Sequence, residues 1–220
     1  MAQNPLALDV THFRSAVDSH AQDWGVTDRV LYDLCRDQPA HRTLSAINAK
    51  ALLIGRGFAT GIERQIKSSG SQGSSIEQLA AHLHKNCTLV DDIISRLSKL
   101  QEPLELESLP VVVSEHGKFC RLLTKISRNG NVPASFASKY LHFHCPVVPI
   151  YDSWAYEQAW RMRRREGLVA FEKPDESHDG YYWYSLCFWQ VYSGIRALVP
   201  TATVRMAEFY LLWLAVDGAA

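Results

Sequence analysis

The sequence predicts an all-α fold. Apolar residues recur at three- and four-residue steps through most of the chain, no segment alternates as a half-buried strand would, and no internal repeat is present. The periodicity predicts helices over Val10 to Trp24, Thr27 to Asp37 with Thr27 as N-cap, and Arg42 to Ile66. The stretch Lys67 to Ser75 (KSSGSQGSS) is too polar and glycine-rich to pack, and reads as a flexible loop separating the first helices from the rest. Short amphipathic helices follow over Ile76 to His84 and Leu89 to Leu100, and then a break between Pro103 and Pro110. A further helix covers Val111 to Ile126 and ends at the turn Arg128 to Val132. Pro133 suits the first turn of a helix reaching about Phe143, with Pro146 and Pro149 bounding the next loop. The last helices are Ser153 to Arg164, Tyr181 to Val199 and Thr203 to Val216.

The chain has 220 residues, 47% of them hydrophobic and 21% charged, which suits one domain of 1-220 with a sizeable core or two closely packed lobes. Lys+Arg and Asp+Glu both number 23, giving zero net charge, so any contact with a nucleic acid has to be local. No basic stretch followed by an apolar one opens the chain, and no run approaches the ~20 apolar residues of a membrane span, so the expectation is a cytoplasmic protein without membrane contact. The five cysteines are scattered without a C-x-x-C pair and read as free and mostly buried.

On the helix 133–143, Phe136, Tyr140 and Phe143 share one face, and at about 100° per residue Lys139 falls at the edge of that stripe. Desolvation there lowers the pKa of an amine and suits a nucleophile that forms a Schiff base with a sugar carbon. The plainer reading has Lys139 burying its stem and sending its ammonium to water. Asp152 closes the loop CPVVPIYD before the helix SWAYEQAW. Its ordinary role is helix N-cap, worth about 1 kcal/mol. A capping carboxylate is also ionised and rigid, and so able to stabilise positive charge developing on a ribose ring.

The string SFASKYLHFHCPVVPIYDSWA resembles the catalytic segment of the helix-hairpin-helix DNA glycosylase superfamily. In that family a lysine-bearing helix leads through a proline-containing loop to P-[VIL]-x-D-[ST]. The archaeal 8-oxoguanine glycosylases, with their F-A-x-K, are the most similar in form, and a bacterial group of 8-oxoguanine-glycosylase-fold proteins associated with antiphage systems is also similar. The resemblance implies a glycosylase-like fold of helical lobes, with Lys139 as Schiff-base nucleophile and Asp152 assisting base departure. It implies DNA or a nucleotide as substrate, a role in repair or antiphage defence, and in the latter case partners from a defence operon. The match spans about twenty residues. The family's L-P-G-[VI]-G hairpin is not present: SRNGNVPAS has only Gly130, which argues against duplex DNA.

Other residues are candidates for the same chemistry. The glycines of LIGRGFATGIERQ (53–65) fit neither the dinucleotide fingerprint nor the P-loop and read as small residues for close helix packing. Arg56, Arg64 and Lys50 are candidates to face a phosphate. Arg161, Arg163, Arg164 and Arg165 form the one dense basic cluster, favourable at a helix C-terminus without any ligand and suited also to clamp a phosphate. The run YYWYSLCFWQVY (181–192) reads mostly as core, with Trp183, Phe188 and Trp189 as candidates to sandwich a flipped base alongside Tyr182. His142, His144 and Cys145 are too few at metal spacing, so neither a metal nor a cofactor is expected.

Overall fold

The computed structural model describes residues 8–67, 73–163 and 170–216. The expected periodicity becomes eleven α-helices among these residues: α1 (Val10–Asp23), α2 (Gly25–Asp37), α3 (Leu44–Gly57), α4 (Ile62–Gln65), α5 (Ser75–Lys85), α6 (Cys87–Leu97), α7 (Leu109–Thr124), α8 (Ala134–His144), α9 (Ser153–Met162), α10 (Asp179–Leu198) and α11 (Val204–Val216). The fold is all-α. Extended pairing among the described residues is limited to one isolated bridge, Ile66 with Ser127. No described helix is long and apolar enough to cross a membrane.

The helix ends show where local sequence decides and where it does not. Asp9 caps α1 by accepting from the Thr11 and His12 amides, and Ser74 and Glu77 form a reciprocal capping box on α5. Thr27 is not a cap: α2 already begins at Gly25, after Trp24. The helix expected over 42–66 is broken at 58–61, where Ala59 (φ 47°) and Gly61 (φ 69°) take left-handed conformations that no helix interior accepts. Most of the loop 67–75 lies outside the described residues, but at its edges the Lys67 amide bonds to the Ile126 carbonyl and Ser74 caps α5.

Helices α2 to α8 form one lobe, in which α3 packs on α2, α5 and α8 while α7 packs on α6 and α8. The stretch 67–75 therefore does not divide the molecule, because α3 and α5 on either side of it pack together. Helices α1, α9, α10 and α11 form the other lobe, with α11 against both α1 and α9. Contacts of α1 with α2 and of α7 with α10 join the two, and a single apolar core runs through both. Gly117 permits one of these contacts, since a Cβ there would lie 1.9 Å from the Glu176 carbonyl oxygen of the segment leading into α10. Cys35, Cys120, Cys145 and Cys187 are buried, Cys87 is half-buried, and all five are free thiols.

A charged cluster is embedded in this core. Arg205 of α11 donates through Nε and Nη2 to both oxygens of Asp28 on α2, at 2.9 and 3.0 Å, and through Nη1 to Glu208 at 3.1 Å. His20 of α1 lies 3.3 Å from Asp28. Burial raises the Asp28 carboxyl, but hydrogen bonds from His20 and Arg205 outweigh it and hold the group down at about 2. Burial pushes Glu208 up to about 7 against the pull of Arg205 and of the Ile150 amide.

Removing one member of such a cluster leaves the others charged and unpaired, so Arg205→Leu is expected to lower stability by about 3–5 kcal/mol in urea unfolding. The buried imidazoles set the acid response. Burial holds His116 and His142 down at about 3 against the usual 6.5, so the stability tied to their neutral forms is complete above pH 6.5 and is lost as pH falls toward 3. Glu208 opposes this between pH 7 and 4.5, where the folded state holds a proton the unfolded state lacks, but it is one group with a smaller shift. The melting temperature is therefore expected to fall steadily from pH 6.5 to 3; a flat profile would show that these imidazoles are hydrated.

Candidate functional site

Helix α8 carries Lys139 and the segment 145–152 returns the chain to Asp152 at the start of α9. The Lys139 side chain is only 5% exposed, and its Nζ donates to Ser135 Oγ at 2.8 Å and to Asp152 Oδ2 at 3.4 Å. Ser135 stands one turn before Lys139 on the same face of α8. Asp152 is 33% exposed, and its other oxygen accepts the Trp154 amide at 3.0 Å. Asp152 is thus both N-cap and partner of the lysine. Burial lowers the pKa of the Lys139 amine, and the Asp152 charge offsets only part of that.

The loop that delivers Asp152 is fixed at four consecutive residues. His142 Nδ1–H donates to the Val148 carbonyl at 2.7 Å, an orientation that leaves Nε2 to accept the Tyr32 hydroxyl. The Tyr181 hydroxyl donates to the Pro149 carbonyl at 2.9 Å. The Ile150 amide donates to Glu208, and the Tyr151 amide to Ser138 Oγ at 2.9 Å. Backbone groups that would otherwise be buried without partners are thereby satisfied, and the carboxylate is held on a rigid strap.

Helices α7 and α8 are joined by a hairpin. Asn129 (φ 56°) and Gly130 (φ 69°) are both left-handed, so the turn is made without the glycine pattern of the resembled family; asparagine is the non-glycine residue most tolerant of that conformation. The Ile66–Ser127 bridge sets α4 against this hairpin and gathers the exposed side chains of Lys67, Lys125 and Arg128 around it. A groove of about 340 Å³ opens beside the hairpin between Val132, the end of α7 (Gly117, Cys120, Arg121, Thr124) and residues 176–179, but neither Lys139 nor Asp152 lines it.

The remaining candidates are not gathered at the amine. Lys50 is fully buried, donating to the Gln38 carbonyl and lying 3.3 Å from His144 Nε2, so it faces no phosphate. Arg56 is ion-paired with Glu63 at 2.6 Å, and Arg64 is exposed on α4. Arg161 pairs with Glu157, and Arg163 lies flat on Trp160 with 3.4 Å to the ring centroid. At about 1.5 Å per residue, both sit roughly 14 Å or more along α9 from Asp152. Arg164 and Arg165 lie outside the described residues. Phe188 is fully buried between Tyr184 and Tyr192, and the half-buried Trp189 donates its indole N–H to the Leu104 carbonyl at 3.2 Å. Neither presents a ring face to a base, whereas Trp183 is 42% exposed. Among the described residues no group of three or more His, Cys, Asp or Glu is placed to hold a metal ion.

Four supporting residues carried little signal in the sequence. Ser135 and Ser138 are ordinary helix residues until their partners are known. Arg205 and Glu208 stand out only as an i,i+3 charged pair inside the apolar run VRMAEFYLLWL. No family profile, characterised protein or solved structure matches the chain.

Tyr184 packs its ring on Tyr151 (5.5 Å) and Tyr156 (6.0 Å), beside the strap, and its buried hydroxyl has no hydrogen-bond partner among the described residues. Tyr184→Phe removes a buried unsatisfied group and is expected to raise stability by about 1 kcal/mol in chemical denaturation. A loss of stability of that size would show that the hydroxyl is bonded to ordered water.

Proposed function

We propose that the protein is an N-glycosylase/lyase acting on the bond between a modified purine and its sugar, in DNA or in a nucleotide. What supports this reading is the Lys139 amine, enclosed by α8 and held 3.4 Å from a partly exposed carboxylate. The resemblance of SFASKYLHFHCPVVPIYDSWA to the glycosylase segment points to the same pair. An enclosed amine with a lowered pKa has more of its neutral, nucleophilic form near pH 7–8 than a free lysine does.

In this mechanism the neutral amine adds to C1′ as the base departs with the bonding electrons and takes up a proton. Asp152 stabilises the positive charge that develops on the sugar. The nitrogen, now bonded to C1′, gives a proton to Asp152; the C1′–O4′ bond then opens as Asp152 passes that proton to O4′, and a protonated imine joins Lys139 to C1′. Removal of a C2′ proton breaks the C3′–O3′ bond in a strand and releases the 3′ phosphate. Water adds to the imine and returns the free lysine.

The test is borohydride trapping on oligonucleotides carrying 8-oxoguanine or an abasic site. Wild type is expected to give a reduced covalent adduct, Lys139→Gln none, and Asp152→Asn a yield lower by about 10²-fold. The yield is expected to rise with pH through the lowered Lys139 titration and then level off. A folded wild-type protein that gives no adduct on any of these strands, yet binds nucleosides, would assign the fold to a non-catalytic nucleotide-binding module.

A further inference from the structure

Trp154 occupies the first turn of α9 and is 58% exposed. Its backbone amide is bonded to one oxygen of Asp152, whose other oxygen lies at the Lys139 amine, so the residue that carries the indole is anchored at the lip of the candidate site. The other aromatics of α9 are engaged: Tyr156 contacts Trp160 at 6.1 Å and Tyr184 at 6.0 Å, and Trp160 is covered on one face by Arg163. Trp154 has no such ring or cation over its indole among the described residues.

Trp154, Gln158 and Arg161 follow one another at four- and three-residue steps and form one stripe along the helix, while Ala155 and Ala159 face the core. Arg161 is therefore about 10 Å along the axis from Trp154. Arg163, at the end of the same helix, has no carboxylate within ion-pairing distance among the described residues. This helix surface begins with an exposed indole whose backbone amide is bonded to Asp152, continues to Arg161, whose charge is shared with Glu157, and ends at Arg163, stacked on Trp160. An aromatic platform followed by positive charge is how sequence-tolerant proteins hold unpaired strands. A duplex keeps its base faces stacked inside, so the indole has a partner only in an unpaired base.

We infer that Trp154 is a stacking platform for an unpaired base and that α9 receives a single-stranded nucleic acid, its phosphates lying toward Arg161 and Arg163. The inference deepens the glycosylase reading by naming the form of its substrate, and rests on that reading only in taking Lys139 and Asp152 as the reacting centre.

The test is fluorescence anisotropy with an undamaged, labelled single-stranded 12-mer and with the same sequence as a duplex, for wild type, Trp154→Ala and Trp154→Phe. Wild type is expected to bind the single strand more tightly than the duplex. Trp154→Ala is expected to weaken single-strand binding about 5- to 150-fold, the equivalent of ~1–3 kcal/mol for one stacked base. Trp154→Phe keeps most of the affinity, and both variants melt at the wild-type temperature. Unchanged affinity in Trp154→Ala would overturn the inference, as would an equal loss on duplex. So would a wild-type protein that ignores nucleic acid and forms a dimer which Trp154→Ala abolishes, since the indole would then be a protein contact. Because the strand is undamaged, the result is independent of borohydride trapping: an adduct without Trp154-dependent binding would sink this inference alone, and binding without an adduct would sink the catalytic reading alone.

Discussion

The guanidinium of Arg205, held between Asp28 and Glu208 inside an apolar core, is the constraint on which the rest of the structure depends. Asp28 belongs to α2 in one lobe and Arg205 to α11 in the other, so their paired hydrogen bonds set the distance between lobes that an apolar interface alone leaves loosely defined. A buried ion cluster contributes little net stability compared with a well-packed apolar substitute, because desolvation consumes most of the Coulomb gain. What it does impose is geometry: planar, two-point bonding tolerates little rotation or slippage. Glu208 passes that geometry on, because its second oxygen accepts the Ile150 amide two residues before Asp152.

From Ile150 the constraint continues outward. Val148, Pro149, Ile150 and Tyr151 are each tied to a different anchor, namely His142, Tyr181, Glu208 and Ser138. Two of these anchors lie on α8 with Lys139 and two on the helices of the other lobe. The strap is therefore referenced to both sides of the seam, and the lysine and the aspartate face each other across it. The placement sets an electrostatic compromise. Burial lowers the pKa of the amine, and the charge and hydrogen bond of Asp152, 3.4 Å away and one-third exposed, raise it again only in part.

Much of the fold was legible because its helices obey a local rule. Apolar periodicity located ten segments, and the proline and glycine positions around 103–110 and 128–133 located the breaks. The exceptions have physical causes. The helix over 42–66 ends early because Ala59 and Gly61 turn left-handed, and Ala59 is not a residue that announces such a turn. Only Gly130 marked the hairpin before α8, yet Asn129 supplies its second left-handed residue. For the site, Lys139 and Asp152 could be paired through a thirteen-residue spacing within one motif. Phe188 could not be told from a ligand-facing aromatic, because a run with aromatics on every face of a helix carries no information about which face meets a neighbour. Lys50 illustrates the same limit: its helix gave no sign that its amine ends against Gln38 and His144 in the interior.

Two buried lysines, Lys50 and Lys139, lie in this molecule, and the contrast between them argues for the importance of the second. Both have amines whose pKa is lowered first of all by burial. Lys50 donates to the backbone carbonyl of the exposed Gln38 and lies beside the half-buried His144 imidazole, so neither of these partners is a carboxylate. Without a paired carboxylate to stabilise positive charge on a substrate, a structural role is sufficient. Lys139 is almost as enclosed, but its partner Asp152 reaches the surface, and Trp154 is bonded to that same carboxylate. For a purely structural lysine a partner that water can reach is the weaker choice, because solvent screening reduces the attraction that offsets its burial. An opening on the carboxylate side is what the proposed reaction requires, because in it a sugar carbon approaches the amine from the side on which the stabilising charge lies.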